Sequence, residues 1–209
     1  MTSAGAAPSR GARVVRHRLT WLAYLGLGLY GFFLYGFGPT TPLVREELGI
    51  SRTLGGLYGT ALAVGAVIAG FAGTAPVRRV GRRTLLWGSA AGLSAGVVLY
   101  TLGGSFPVSL LGALVCGTAG SWIVTVANAS LMDEQGPAGP AALSEGNAVA
   151  AGIGTVAPLV VGGAVALGLG WRAGLLVVVL VAAAVYLAFR SVPIPDGVPV
   201  NPADHPDGA

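Results

Sequence analysis

Apolar residues in this chain do not alternate with polar ones; they come in long runs. Nearly continuous apolar stretches cover residues 19–42, 53–77, 84–103, 108–132, 146–167 and 173–189. A helix needs about 20 mainly apolar residues to cross the hydrocarbon core of a bilayer. Strands of a membrane barrel would instead show segments of about ten residues with strict alternation. In lipid every backbone N–H and C=O must pair within its own segment, so runs of this length must be helical. The pattern therefore predicts an all-α polytopic membrane protein with six transmembrane helices. Small and polar breaks separate the runs: Gly103-Gly104-Ser105-Phe106-Pro107, the stretch 133–145 with Pro137 and Pro140, and Gly168-Leu169-Gly170-Trp171-Arg172. Residues 1–18 read as a cytoplasmic N-terminal tail, 19–190 as the helical bundle, and 191–209 as a polar cytoplasmic tail or linker with five prolines and three aspartates.

Composition supports this picture. The chain is 54% hydrophobic and 10% charged, with mean hydropathy +0.75. A soluble domain carries roughly a quarter charged residues, and so few could not coat a surface facing water. The formal charge is +4, and every positive side chain is Arg. With the N-terminus inside, Arg10, Arg13, Arg16, Arg18, Arg78, Arg79, Arg82, Arg83 and Arg190 fall on the cytoplasmic side, and Arg45, Arg52 and Arg172 outside. Nine against three obeys the positive-inside rule and predicts a cell-membrane protein with both termini cytoplasmic. Trp21, Trp87 and Trp171 fall near span ends, where indoles favour the interface; Trp122 sits mid-span.

Several chemistries are excluded. One cysteine, Cys116, cannot form a disulfide within the chain, and with two histidines it cannot build a metal site. No cofactor is implied. His17 and His205 lie in the polar ends, so an intramembrane Ser–His protease has no base, and a zinc protease has no ligands. No basic face on a soluble module exists to hold nucleic acid. The chain does not read as an enzyme.

The connection between the second and third spans carries Thr74-Ala75-Pro76-Val77-Arg78-Arg79-Val80-Gly81-Arg82-Arg83. This resembles the loop of major facilitator superfamily transporters, whose pattern is Gly, three residues, Asp, Arg, one residue, Gly, Arg, Arg. Arg79, Gly81, Arg82 and Arg83 match. Thr74 stands where the first Gly belongs, with Gly73 one residue off, and Arg78 stands where the Asp belongs. The resemblance covers residues 19–190 and implies the N-terminal six-helix half of such a transporter, built from two inverted three-helix repeats. It also implies that Arg78, Arg79, Gly81, Arg82 and Arg83 form a cytoplasmic gate motif. In the family that loop's Asp pairs with basic groups and a helix end to latch the gate; here that acid is replaced.

Span five holds Gly154, Pro158, Gly162 and Gly163. Proton-coupled exporters of the same superfamily carry a Gly-Pro and a Gly pair here. The resemblance makes these four a hinge or packing element: proline removes a backbone hydrogen bond, and glycine admits a neighbouring helix. Gly88, Gly92 and Gly96 line one face of span three and predict close packing within the bundle. The resemblance also makes the first and fourth spans line the central cavity, which nominates Tyr30, Tyr35, Trp122 and Asn128, with Asn128 foremost because an unpaired amide in lipid is expensive. No acid or base sits mid-span, and the Arg common in span four of proton-coupled members is missing. Glu145, at the cytoplasmic edge of span five, reads as a solvated helix-start carboxylate, with gating or proton transfer as the alternative.

The function expected is transport of a small solute across the lipid bilayer by alternating access, in the form of proton-coupled export of drug-like compounds. A lone half has no opposite cavity wall, so a second six-helix half or a homodimer partner is expected, and the polar tail resembles the linker that joins two halves. The alternative is a membrane structural or regulatory subunit that transports nothing.

Overall fold

The computed structural model describes residues 13–73 and 75–196. Among them are six α-helices and no strand: α1 Arg18–Glu47, α2 Arg52–Ala72, α3 Ala75–Leu102, α4 Phe106–Gln135, α5 Gly139–Ala166 and α6 Gly170–Phe189. Five stretches are long and apolar enough to cross a membrane; the fourth, Phe106–Ala166, takes in both α4 and α5. At about 1.5 Å per residue, the 30 residues of α1 overrun a hydrocarbon core of about 30 Å, so its charged ends stand clear of the apolar slab.

Most helices outlast their apolar runs, although α2 stops at Ala72, short of the expected end at residue 77, and three further differences from the sequence reading follow. The polar stretch after span four is mostly helix: α4 runs to Gln135, a 3-10 turn covers only Gly136–Ala138, and α5 starts at Gly139. Gly136 ends α4 at φ +49, a conformation glycine tolerates without strain. Pro140 lies in the first turn of α5, where a missing N–H does no harm. Glu145 is therefore well inside α5, not at its start. Residues 75–80, expected as loop, are helical and merge with α3; only Gly81 leaves helical geometry (φ 79, ψ 157). Third, the segment after α6 is not a detached linker at its beginning. Val192 and Ile194 are 4% and 8% exposed and join the main core. Residues 1–12, Thr74 and 197–209 lie outside the described residues, and with them Arg10, His205 and the rest of the tail.

Packing centres on α4, which touches α1, α2, α3 and α5. The hydrophobic effect does not drive helices together in lipid, so close van der Waals contact must do it. A Cβ on Gly65 would stand 2.2 Å from the Leu114 carbonyl, and one on Gly117 would stand 2.0 Å from the Leu62 carbonyl, so α2 and α4 touch backbone to backbone. Gly112 and Gly96 do the same for α4 and α3, Gly31 for α1 against Ala150 of α5, and Gly174 for α6 against Val161 of α5. Of the glycine face on α3, Gly96 and Gly92 serve α4, while Gly88 meets open space. Cys116 is a fully buried core residue beside this contact.

Polar clusters tie the two ends. At one, Tyr58 Oη and Ser109 Oγ lie 2.6 Å apart and Tyr100 Oη lies 3.2 Å from Thr40 Oγ1, inside a knot of Phe37, Tyr58, Tyr100, Phe106 and Trp171 rings. Arg172 closes it, donating to Glu47 at 2.7 Å and to the Thr101 carbonyl at 2.7 Å, while Trp171 donates its indole N–H to Glu47. The Arg172 hydrogen bond holds the Glu47 carboxyl below its ordinary value, partly offset by desolvation and reinforced by Trp171. The other end gathers the start of α1, α3 and α5 with the end of α4 and α6, joined by Arg18 to the Ala188 carbonyl, Arg82 to Asp133 and Arg16 to Glu145.

Two outcomes are expected in detergent. Gly117→Ala should lower unfolding stability by about 1–3 kcal/mol through overpacking, while Gly70→Ala, where a Cβ meets nothing within 4 Å, should be neutral or slightly stabilising; thermal unfolding with monodispersity checks both. Because the Glu47 carboxyl is depressed in the fold, its contribution is present above the ordinary Glu range and lost as pH falls through it. Wild type should lose less than about 1 kcal/mol by this route on acidification, and Glu47→Gln should lack that component, as paired melting curves across pH will show.

Candidate functional site

The loop motif is built at the end where α3 begins. Gly81 turns the chain in a left-handed conformation (φ +79), and a Cβ there would press on Asp196 Oδ1 at 3.2 Å. Both facts demand glycine. Arg82 follows, its guanidinium 12% exposed and 2.6 Å from Asp133 Oδ2 at the end of α4. Its backbone N–H donates to Asp196 Oδ1 at 2.8 Å. Arg83 donates to the Arg190 carbonyl at the end of α6. Arg78 and Arg79 are exposed, and neither makes an ion pair among the described residues. The motif thus divides: Gly81, Arg82 and Arg83 bind the bundle, and Arg78 and Arg79 face outward. Thr74 lies outside the described residues.

A second network sits beside it. Glu145 accepts from Arg16 Nε at 2.8 Å and from the buried Tyr24 hydroxyl at 3.1 Å. The Arg16 guanidinium is raised further above its ordinary value by that hydrogen bond and the charge behind it. Gln135 pairs both ways with the Val15 backbone, at 2.9 Å and 2.7 Å, and Thr20 donates to Glu134 at 3.0 Å. Glu145 is a pinned carboxylate shared by three elements rather than a free one. Sequence spacing could not show this, because Arg16 is 129 residues away.

The nominated cavity residues do not all meet. Tyr30 lies against α4 where Gly120 makes room for its ring: a Cβ there would fall 1.9 Å from Cε2. It stacks on Phe33 at 6.2 Å. Next to Gly120 begins a polar strip on α4, formed by Ser121, Thr125 and Asn128 at helical spacing, with the apolar Met132 one turn on. The strip is partly or fully exposed along its length. The Asn128 Oδ1 is buried and has no hydrogen-bond partner among the described residues. Tyr35 is 48% exposed and rests on Gly154 of α5, whose Cβ would stand 2.9 Å from its ring. Trp122 goes elsewhere. It is six positions from Asn128, about two-thirds of a turn around α4, and lines a cleft of about 580 Å³ between α2, α3 and α4 with Ser89 and Thr118.

The span-five motif also divides. Gly154 is buried and brings α5 against α1. α5 stays helical through Pro158. Gly162 and Gly163 are exposed, with nothing within 4 Å of a Cβ, so they pack on no helix of this bundle.

Comparison with known proteins now bears on the arrangement. The family model for the Major Facilitator Superfamily matches residues 23–208. This chain belongs to the major facilitator superfamily. A comparison with curated proteins finds no match. Members of the superfamily are transporters rather than enzymes, so this membrane-embedded protein serves the passage of a solute across a bilayer.

Glu145→Gln should loosen the N-terminal segment of the transporter from α5. Limited trypsin digestion at Arg13 and Arg16 should then run several-fold faster than in wild type, with the helical circular dichroism unchanged.

Proposed function

We propose that this bundle is one half of an alternating-access exporter, working against a second six-helix half or a second copy, and carrying small apolar, drug-like solutes out of the cell with proton coupling. The observation that carries the reading is the α4 strip of Ser121, Thr125 and Asn128, which is open to the outside of this bundle and whose amide oxygen lacks a partner. An unpaired amide oxygen in an apolar setting is worth about 1–3 kcal/mol of lost hydrogen bonding, and a solute or a facing helix would recover it. Tyr30 beside the strip and Tyr35 beyond it offer flat apolar surface with polar tips. No charge lies on the strip, which suits neutral or lipophilic solutes.

Six membrane spans follow from length. The stretch Phe106–Ala166 has 61 residues, far more than one crossing needs at about 20 residues, and Gly136–Ala138 interrupts it. Two inverted repeats are supported by the packing: α1 lies closest to α5 and α2 to α4, contacts that exchange when α1 is swapped with α4 and α2 with α5. The end bearing Arg16, Arg18, Arg78, Arg79, Arg82, Arg83 and Arg190 is the cytoplasmic one by positive-inside bias, which places both termini inside at the cell membrane. Val64, Val67, Ile68 and Phe71 of α2 and Val156 and Leu159 of α5 are exposed; with Gly162 and Gly163 they give the face on which the second half rocks. Arg78, Arg79, Gly81, Arg82 and Arg83 gate the cytoplasmic side.

The test is dye efflux by the full assembly in proteoliposomes with an imposed proton gradient. Asn128→Leu should slow transport about tenfold, the worth of one well-placed hydrogen bond, without loss of folded protein. A wild-type assembly that folds and inserts yet moves no member of a lipophilic cation and neutral dye panel would overturn the export reading and leave a regulatory subunit in its place.

A further inference from the structure

The gate motif of this chain has Arg78 where the family pattern carries an acid, and residues 75–83 contain no carboxylate at all. A loop of four arginines with nothing to hold them should splay by mutual repulsion. The loop is nevertheless held, and the carboxylates that hold it come from elsewhere.

Arg82 is the first residue after the break at Gly81, so its N–H has no carbonyl one turn back to receive it. Asp196, on the strap that follows α6, supplies Oδ1 to that N–H at 2.8 Å. A carboxylate is the favoured group at a helix start, where unpaired N–H groups carry partial positive charge. Arg82 in turn reaches Asp133 on α4 at 2.6 Å and the Pro195 carbonyl at 3.4 Å. The strap is anchored ahead of this contact: Val192 and Ile194 are buried in the core, and Arg83 holds the Arg190 carbonyl. Beneath lies a pocket of about 660 Å³ lined by Arg18, Arg82, Ser130, Asp133, Pro195 and Asp196. Ser130 is 4% exposed and its hydroxyl has no partner among the described residues.

We propose that Asp196 is the positioning carboxylate of the gate, supplying from the strap the negative charge that the loop lacks. It fixes the start of α3 against the end of α4 and keeps the pocket over Ser130 shut. This deepens the gate assignment made above and rests on it. The geometry also explains why Gly81 meets two demands at once: a side chain there would push Asp196 off the Arg82 N–H as well as strain the backbone.

The test uses the full-length protein in nanodiscs, where both faces are open to reagent, with Cys116→Ala and Ser130→Cys leaving one thiol under the strap. Its labelling rate with a hydrophilic maleimide reports strap opening and needs no solute. Asp196→Ala should raise the rate about tenfold, the population shift expected from losing one charge-assisted hydrogen bond, and Asp196→Asn should give an intermediate rise. Asp196→Glu keeps the carboxylate on the strap and should hold labelling near the wild-type rate, a rescue that a purely mechanical role for the strap does not require. Asp196→Ala labelling at the wild-type rate, or Asp196→Glu as open as Asp196→Asn, would overturn the proposal. Failure of dye transport by wild type would sink the exporter reading without touching this result.

Discussion

Close backbone contact along α4 is the constraint on which the rest of the bundle depends. Lipid offers helices no hydrophobic reason to associate, since tails are as apolar as leucine. What remains is van der Waals contact at short range. Gly112, Gly117 and Gly120 give α4 three places where α3, α2 and Tyr30 of α1 come against its backbone. Side chains at these positions would hold the neighbours off, and every contact that follows from their approach would be lost. The Tyr58–Ser109 and Tyr100–Thr40 pairs are of that kind. They are polar groups that lipid would leave unpaired, and the glycines bring them within reach of one another.

Charge organises the two ends differently. Where α1 meets α6, one carboxylate, Glu47, takes Arg172 and Trp171 together, above a dense aromatic knot. The opposite end is rich in arginine and is held by acids spread over three elements: Asp133 closing α4, Glu145 in α5 and Asp196 in the strap. One end is compact and locked by few groups. The other is a mesh of longer side chains over a sizeable pocket. Such a mesh can rearrange by exchanging partners, and a transporter needs that at one of its gates.

The same contrast runs through the membrane-spanning part. α1 is largely enclosed by its neighbours, whereas α2 and α6 leave most of their length uncovered. Enclosure gives α1 a fixed position from which Tyr30 and Tyr35 are presented. Uncovered apolar faces meet lipid or protein with equal ease, so the bundle can sit in a membrane and also slide against a partner without breaking its own core.

The sequence by itself determined that this chain is helical and lies in a membrane, because lipid forces long apolar runs to satisfy their own backbones. It also located the breaks at Gly103-Gly104 and at Gly168, and showed the loop motif whose family the chain belongs to. Boundaries came out short because helix propensity continues past the apolar slab: polar residues such as Asp133, Glu134 and Gln135 extend α4 into the interface. Candidate site residues could be grouped from the chain only where one helix carries them, as with Thr125 and Asn128. Trp122 shares α4 with Asn128 yet faces another cleft, since helical phase and not proximity in the chain sets direction. The partners of Arg82 and Glu145 were hidden. Asp196 lies 114 residues from Arg82, and Arg16 lies 129 from Glu145. Only the return of α6 and its strap beside α3, and the packing of α1 against α5, bring those charges together, and no local pattern in the chain records either.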